Sequence, residues 1–254
     1  MSQVKFDVWQ VACFGYVHFF KHPIIFLRLA WKSYVLTIAG SFLVTALQTI
    51  LKRQGYELTV LSQALQLFVG VVAVSYFGLA FYRYYLLGWT SETQRVRLRI
   101  RRREFLYINF MLLSMVPWGL IGLLYNFAPE FGLDMANKKL WTAITYALNT
   151  FMALALVRIV YISPAIAVDM SQPVVQGWKL AEGAWLRLCG VWFLTYAPYM
   201  FLNAYVYEVM TSFVDPLISS LLSTAMFFVA HGISLLAMSR AFQLRVGQTS
   251  PVAG

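Results

Sequence analysis

Long stretches without a charged residue are the feature that most constrains this fold. Five such runs occur, and a sixth is interrupted only by Arg158. A helix needs about 20 apolar residues to cross the hydrocarbon core of a membrane, because it rises only 1.5 Å per residue. A single run could be a buried core helix, but six leave too little of the 254 residues for a soluble domain around them. We predict six transmembrane helices, at residues 33–51, 58–82, 105–127, 140–163, 188–210 and 217–239.

The short connections between these runs predict an up-and-down arrangement. Three brief polar segments, at residues 52–57, 129–139 and 208–216, join the runs in pairs as three hairpins. Only 12% of the residues are charged, against about 25% in an average soluble domain. We therefore predict an all-α, polytopic membrane protein in which residues 1–254 form a single integral membrane domain.

The distribution of charge predicts the orientation. The side with both chain ends and the two longer connections holds 16 of the 20 Lys and Arg residues and carries a net charge of +11, against −1 on the other side. Basic short loops stay in the cytoplasm during insertion. Both termini are thus predicted to be cytoplasmic, and the net charge of +10 needs no nucleic-acid partner. Lys5 and Asp7 stand where a cleavable signal peptide would be apolar, and Cys13 and Cys189 are expected to be free thiols.

Two amphipathic segments are predicted to be elbow helices in the cytoplasmic membrane interface, at residues 3–22 and 173–187. Apolar residues recur at spacings of three and four in both, as on one face of a helix. In the first elbow the apolar set is Val4, Val8, Ala12, Tyr16 and Phe19. In the second it is Val174, Trp178, Ala181, Trp185 and Leu188, and Ser171 and Pro173 suggest the start of the helix.

A third cytoplasmic connection, residues 83–104, has a different pattern. Basic and apolar residues alternate from Arg95 to Ile100 before a solidly basic run, which is compatible with a strand-like segment or with the start of a basic helix. With it the chain consists of three units, each a cytoplasmic elbow followed by a hairpin. The last residues, 246–254, are predicted to form a disordered tail.

Two short motifs resemble a widespread, uncharacterised family of bacterial inner-membrane proteins. The first is Arg83-Tyr84-Tyr85-Leu86-Leu87-Gly88, followed by a basic run and Arg103-Glu104-Phe105-Leu106-Tyr107; the second combines Arg158, residues 163–169 and residues 177–188. The layout is similar to YciC-like proteins and to the membrane domain beside some glycerophosphodiester phosphodiesterases. The resemblance implies six helices in a bacterial inner membrane. It implies no reaction, since no phosphodiesterase domain is present.

Basic and aromatic residues on the cytoplasmic side predict contact with anionic phospholipids. Each basic residue near an anionic leaflet contributes about 1 kcal/mol, and tryptophan favours headgroup depth. The predicted lipid or phosphate contacts are Arg95, Arg97, Arg99, Arg101, Arg102, Arg103, Arg158, Lys179 and Arg187. The predicted interfacial anchors are Trp9, Trp31, Trp89, Trp178 and Trp185.

Three ionisable residues, Arg158, Asp169 and His231, are predicted to lie within or at the edge of the membrane. We favour an Arg158 that reaches to the interface or pairs with Asp169; the alternative is that it binds phosphate in a cavity between helices. His231 is expected to be a hydrogen-bonded packing residue. His18 and His22 have the spacing of two metal ligands on a helix, but no third ligand completes a site, so we predict headgroup contact and no metal or cofactor.

Three prolines, Pro117, Pro164 and Pro198, are predicted to kink helices, because proline removes a backbone donor. Interrupted helices are typical of transporters, yet no acidic residue lies at the predicted midplane. No catalytic motif occurs. We favour a non-enzymatic membrane protein that contacts lipid or acts as an assembly subunit, with a protein partner or a second copy left open. A transporter component is the alternative, and an intramembrane lipid-modifying enzyme is the weaker one.

Overall fold

The computed structural model describes residues 6–54, 59–88, 101–127, 144, 147–148, 157, 159–213 and 216–249, and all regular secondary structure in these ranges is helical. They contain eight helices: α1 Val8–Lys21, α2 Pro23–Arg53, α3 Thr59–Leu87, α4 Arg102–Phe127, α5 Ile162–Ala167, α6 Pro173–Ala181, α7 Trp185–Phe213 and α8 Pro216–Thr249. No strand occurs in this part of the chain.

Three of the described helices are long and apolar enough to cross a membrane. These segments are Pro23–Arg53, Ala64–Leu87 and Ile218–Gly247, and they overlap the first, second and sixth predicted spans. The third and fifth predicted spans, 105–127 and 188–210, lie inside α4 and α7. Most of the fourth, 140–163, lies outside the described residues. The all-helical class is confirmed, and the long apolar helices indicate a membrane-embedded protein.

The end of the fourth predicted span differs from the prediction. Residues 159–161 form a turn, and a separate short helix, α5, begins at Ile162. Pro164 has no N–H, so it cannot continue the hydrogen-bond pattern of a helix arriving from residue 160. Pro164 lies in the first turn of α5, where a missing donor costs nothing, and the predicted kink there stays a prediction.

A left-handed residue ends α5 and positions an acidic side chain. Asp169 has a φ of 58°, its N–H donates to the Ile166 carbonyl at 3.1 Å, and the Met170 N–H donates to the Ala165 carbonyl at 3.0 Å. This pair of bonds is the Schellman ending of a helix, in which glycine or asparagine is the usual left-handed residue. Here an aspartate takes that position, directly after a fully buried helix.

The second elbow is shorter than predicted. Instead of one helix over residues 173–187, α6 stops at Ala181, Gly183 adopts a φ of 73°, and α7 starts at Trp185. The guanidinium of Arg245 on α8 binds the carbonyls at this break, with Nε 3.1 Å from Leu180 O and Nη2 2.6 Å from Glu182 O. Carbonyls that end a helix need such donors, and this cation supplies them.

The face that α6 buries also differs from the predicted apolar stripe. The buried residues are Gly177, Leu180 and Ala181, whereas Val174 and Trp178 are exposed. A Cβ atom on Gly177 would lie 2.7 Å from the backbone of Ile162, so α5 and α6 are in backbone contact there. Gly177 and Ala181 thus pack inward together with Leu180, whereas Val174 and Trp178 face outward.

Helix α8 is the centre of the packing. It contacts α1, α2, α3, α6 and α7, and both hydrophobic core clusters include its residues. The first elbow, which contains α1, buries Val11, Ala12 and Phe19 against this bundle. At Gly15 an added Cβ would lie 2.7 Å from the Ile233 carbonyl oxygen of α8. Helix α1 is therefore part of the bundle, not only a segment on its surface.

The predicted disordered tail starts too early. Helix α8 continues to Thr249, so residues 246–249 are helical. Leu244 and Val246 pack against the second core cluster, which favours extension of the helix through its last turns. Residues 250–254 lie outside the described part of the chain.

Pro198 lies inside α7, where it interrupts the backbone hydrogen bonds, and the predicted kink there stays a prediction. A proline at this position leaves the Leu194 carbonyl without its helical donor. The Tyr16 hydroxyl of α1 donates to this carbonyl at 2.9 Å and lies 3.3 Å from the Thr195 carbonyl. The polar group that Pro198 frees is therefore satisfied by the elbow helix. Pro117 lies within α4, but its side chain is outside the described part of the structure.

The Tyr16→Phe variant should lower the free energy of unfolding by about 1 kcal/mol, because one hydrogen bond is lost and a carbonyl is left unpaired. In a Pro198→Ala background the cost should be smaller, because alanine restores a backbone N–H that donates to the Leu194 carbonyl. A double-mutant cycle measured by unfolding in detergent checks this coupling. Equal costs in the two backgrounds would contradict the assignment.

Candidate functional site

Several of the predicted lipid-contacting residues meet at one end of the bundle, where α3 ends and α4 begins. We call this the basic end. Arg101 and Arg102 are exposed there, whereas Arg103 is half-buried. Of the other predicted residues, Arg95, Arg97, Arg99, Arg158 and Trp89 lie outside the described part of the chain.

Two arginines converge on one carboxylate at the basic end. Arg83 Nη1 is 3.1 Å and Arg103 Nη1 is 2.8 Å from Oδ2 of Asp169. Arg83 Nη1 also donates to the Ala167 carbonyl at 2.8 Å, at the end of α5. We call these three residues the arginine–aspartate cluster. It joins the end of α3, the start of α4 and the turn after α5.

Local structure places each member of the cluster. Arg83 is in the last turns of α3, which is followed by Gly88 with a φ of 81°. Arg103 is in the first turn of α4, where Glu104 accepts a hydrogen bond from the Arg101 N–H at 3.1 Å and lies 3.4 Å from Arg103 Nη2. A glutamate that accepts from the N-cap backbone is a typical helix start. Residues 102–104 therefore begin a helix, so the last residues of the arginine-rich connection are a helix start and not a strand.

The cluster gives Asp169 two partners that the sequence did not suggest, Arg83 and Arg103. The expected partner, Arg158, lies outside the described residues, so that pairing stays a prediction. Asp169 is also 56% exposed by side chain, so it is not enclosed within the bundle. The Schellman ending of α5 explains this, because it turns the chain outward at Asp169. The sequence analysis missed Arg83 as a site residue, although the first motif of the resemblance contains Arg83 and Arg103 and the second contains Asp169.

Aromatic rings and histidines form a second group at the basic end. His18 stacks on Phe14 with ring centroids 5.4 Å apart, and Tyr85 and His22 lie 5.5 and 4.7 Å from it. The Arg240 guanidinium lies over the Phe14 ring at 5.5 Å. Nε2 of His18 is buried without a hydrogen-bond partner among the described residues. Burial lowers the pKa of His18 below its usual 6.5, and the charges of His22 and Lys21 lower it further.

This shift predicts a loss of stability in mild acid. A histidine with a lowered pKa binds fewer protons in the folded state than in the unfolded state, so stability falls as the pH drops below 6.5 and levels off below the folded-state pKa. Thermal unfolding in detergent between pH 7.5 and pH 5 measures it. His18→Phe keeps the ring contacts and should remove most of this loss. In His22→Phe most of the stability loss in acid should persist, because burial of His18 lowers its pKa more than the charge of His22 does. Equal losses in the two variants would contradict the assignment of the loss to His18.

His231 is a hydrogen-bonded packing residue, as the sequence predicts. Its Nδ1 is paired with the Tyr196 hydroxyl of α7. The imidazole stacks on Phe227 at 5.6 Å with the ring planes 9° apart, and Phe77 lies 5.9 Å away. The polar pair is thus surrounded by aromatic rings between α7, α8 and α3.

The remaining predicted anchors lie at the surface of the helices. Trp9 is 65%, Trp31 54%, Trp178 43% and Trp185 39% exposed. Lys179 is also exposed, and Arg187 is half-exposed. Cys13 and Cys189 are free thiols, and the described residues include no group of three His, Cys, Asp or Glu side chains that could hold a metal ion.

Comparison with protein-family models, curated proteins and solved structures finds no match for this chain.

Proposed function

We propose that the chain is a non-enzymatic, multi-pass protein of the bacterial inner membrane that binds anionic phospholipids at its basic end, alone or as a subunit of an assembly. In this proposal six helices span the membrane and both termini are cytoplasmic. The resemblance of the two motifs to bacterial inner-membrane proteins and the excess of Lys and Arg on one side support the orientation.

The exposed tryptophans of the elbows carry the proposal. Helix α1 has 14 residues and α6 has nine, so both are too short to cross a membrane. Each presents a tryptophan outward, Trp9 and Trp178, although both helices bury another face against the bundle. Tryptophan on a short amphipathic helix is typical of the membrane interface. Exposed Lys21 and Lys179 lie on the same helices, and such cations attract anionic headgroups.

A transporter component is the second candidate, and polar pairs between α7 and α8 favour it. Besides the Tyr196–His231 pair, the Ser223 hydroxyl donates to Asn203 Oδ1 at 2.7 Å. Intramembrane polar groups often mark a substrate path. However, His231 stacks on Phe227, and Tyr16 already binds the carbonyl that Pro198 frees, so His231 and Pro198 are accounted for by packing.

A lipid-modifying enzyme is less well supported. It would use Asp169 together with Arg158, but the Asp169 carboxylate is held by two guanidinium groups. That arrangement is typical of an ion pair rather than of a group that transfers protons to a substrate.

The proposal predicts selective retention of anionic lipid. Native mass spectrometry of the detergent-solubilised protein, supplied with equal phosphatidylglycerol and phosphatidylcholine, should show more bound phosphatidylglycerol. Changing the exposed cations Lys21, Arg28 and Lys179 to glutamine should reduce that binding by about two orders of magnitude, because each contributes about 1 kcal/mol near an anionic surface.

The matched control changes Lys52 and Arg53 to glutamine, since both are exposed at the opposite end of α2. This variant should retain phosphatidylglycerol as the wild type does. Equal binding of the two lipids by the wild type, or equal losses in both variants, would overturn the proposal.

A further inference from the structure

We propose that Arg83 and Arg103 form a binding site for a phosphate group, and that the Asp169 carboxylate occupies this site until a phosphate displaces it. The inference rests on the proposed function, because it assigns the headgroup phosphate of an anionic lipid to particular residues. Free phosphate offers the same chemistry, and the experiment below separates the two sources.

The geometry provides converging donors. Guanidinium groups from α3 and α4 reach the same oxygen, Asp169 Oδ2, at 3.1 and 2.8 Å. Arg83 Nη1 also donates to the Ala167 carbonyl at 2.8 Å, which helps to fix the position of this guanidinium. A phosphate carries several acceptor oxygens, so it can accept hydrogen bonds from both guanidinium groups at once, and arginine matches its geometry.

The exposed fractions identify the carboxylate as the removable partner. The side chains of Arg83 and Arg103 are 13% and 17% exposed, whereas that of Asp169 is 56% exposed. The arginines are therefore built into the fold, and the carboxylate approaches from solvent. The Schellman bonds from the Asp169 and Met170 N–H groups hold the turn by its backbone, so the side chain can rotate away while the turn stays in place.

The surrounding charge favours an anion. Arg101 and Arg102 are exposed beside the cluster at the start of α4, and Glu104 is occupied by Arg103 Nη2 and the Arg101 N–H. In addition, Arg103 Nε is buried without a partner in the described part of the chain. A phosphate with a second oxygen near Arg103 would satisfy this donor, which a single carboxylate oxygen leaves unpaired.

The test measures binding of two probes to the full chain in detergent by calorimetry: inorganic phosphate and short-chain dihexanoyl phosphatidylglycerol. Asp169→Asn removes the competing charge, and asparagine suits the left-handed position. We expect it to bind the probe roughly tenfold more tightly than the wild type, the factor expected from removing a like charge a few ångströms from the anion. Asp169→Gly should give the same gain, which guards against a folding defect in one variant.

Arg103→Gln in the Asp169→Asn background should abolish that gain, while Lys179→Gln in the same background should preserve it, since Lys179 lies on α6 outside the cluster. If the Asp169 variants bind both probes more tightly than the wild type, the site accepts free phosphate as well as lipid headgroups. If they bind only the lipid more tightly, the site is specific for headgroups. Unchanged or weaker binding in both Asp169 variants would overturn the inference, even if anionic lipid is retained by the elbows. Conversely, loss of lipid selectivity with tighter phosphate binding in Asp169→Asn would defeat only the proposed function.

Discussion

Satisfying backbone polar groups in apolar surroundings is the constraint on which the rest of this structure depends. A long helix meets it internally, but every helix end or interruption leaves carbonyls that need a donor. The chain supplies these donors from distant elements. Tyr16 binds the carbonyl freed inside α7, Arg245 binds those at the end of α6, and Arg83 binds the Ala167 carbonyl at the end of α5. Each donor also joins two helices, so the bonds that satisfy the backbone also fix the arrangement of the bundle.

This constraint connects the elbows with the candidate site. Helix α6 packs Gly177 in backbone contact with α5, which leaves Trp178 and Lys179 facing outward. The Schellman ending of α5 places Asp169 between two arginines whose own positions follow from the end of α3 and the start of α4. The features that we connect with lipid headgroups are therefore consequences of how the short helices end, not isolated surface charges.

The sequence predicts the helical class and the amphipathic helix of the first elbow, because periodicity is a local property. It does not predict which face of α6 is buried, since close contact at Gly177 outweighs the apolar stripe of Val174 and Trp178. It also misses the break after Ala181 and the contact between Arg83 and Asp169. The break after Ala181 depends on Arg245, and the position of Asp169 depends on Arg83. Each arginine is distant along the chain from its partner and reaches it only through the packing of α8 or α3.

The most direct test of the account is the accessibility of the two ends of the bundle across the membrane. Single cysteines would be introduced as Gln54→Cys, after α2, and as Gln172→Cys, before α6, in a chain with Cys13 and Cys189 replaced by serine; both glutamines are exposed. In intact bacterial spheroplasts a membrane-impermeant maleimide should label only the Gln54→Cys variant, and both should be labelled after permeabilisation. Labelling of Gln172→Cys from outside, or equal labelling of the two variants in intact spheroplasts, would contradict a basic end that faces the cytoplasm.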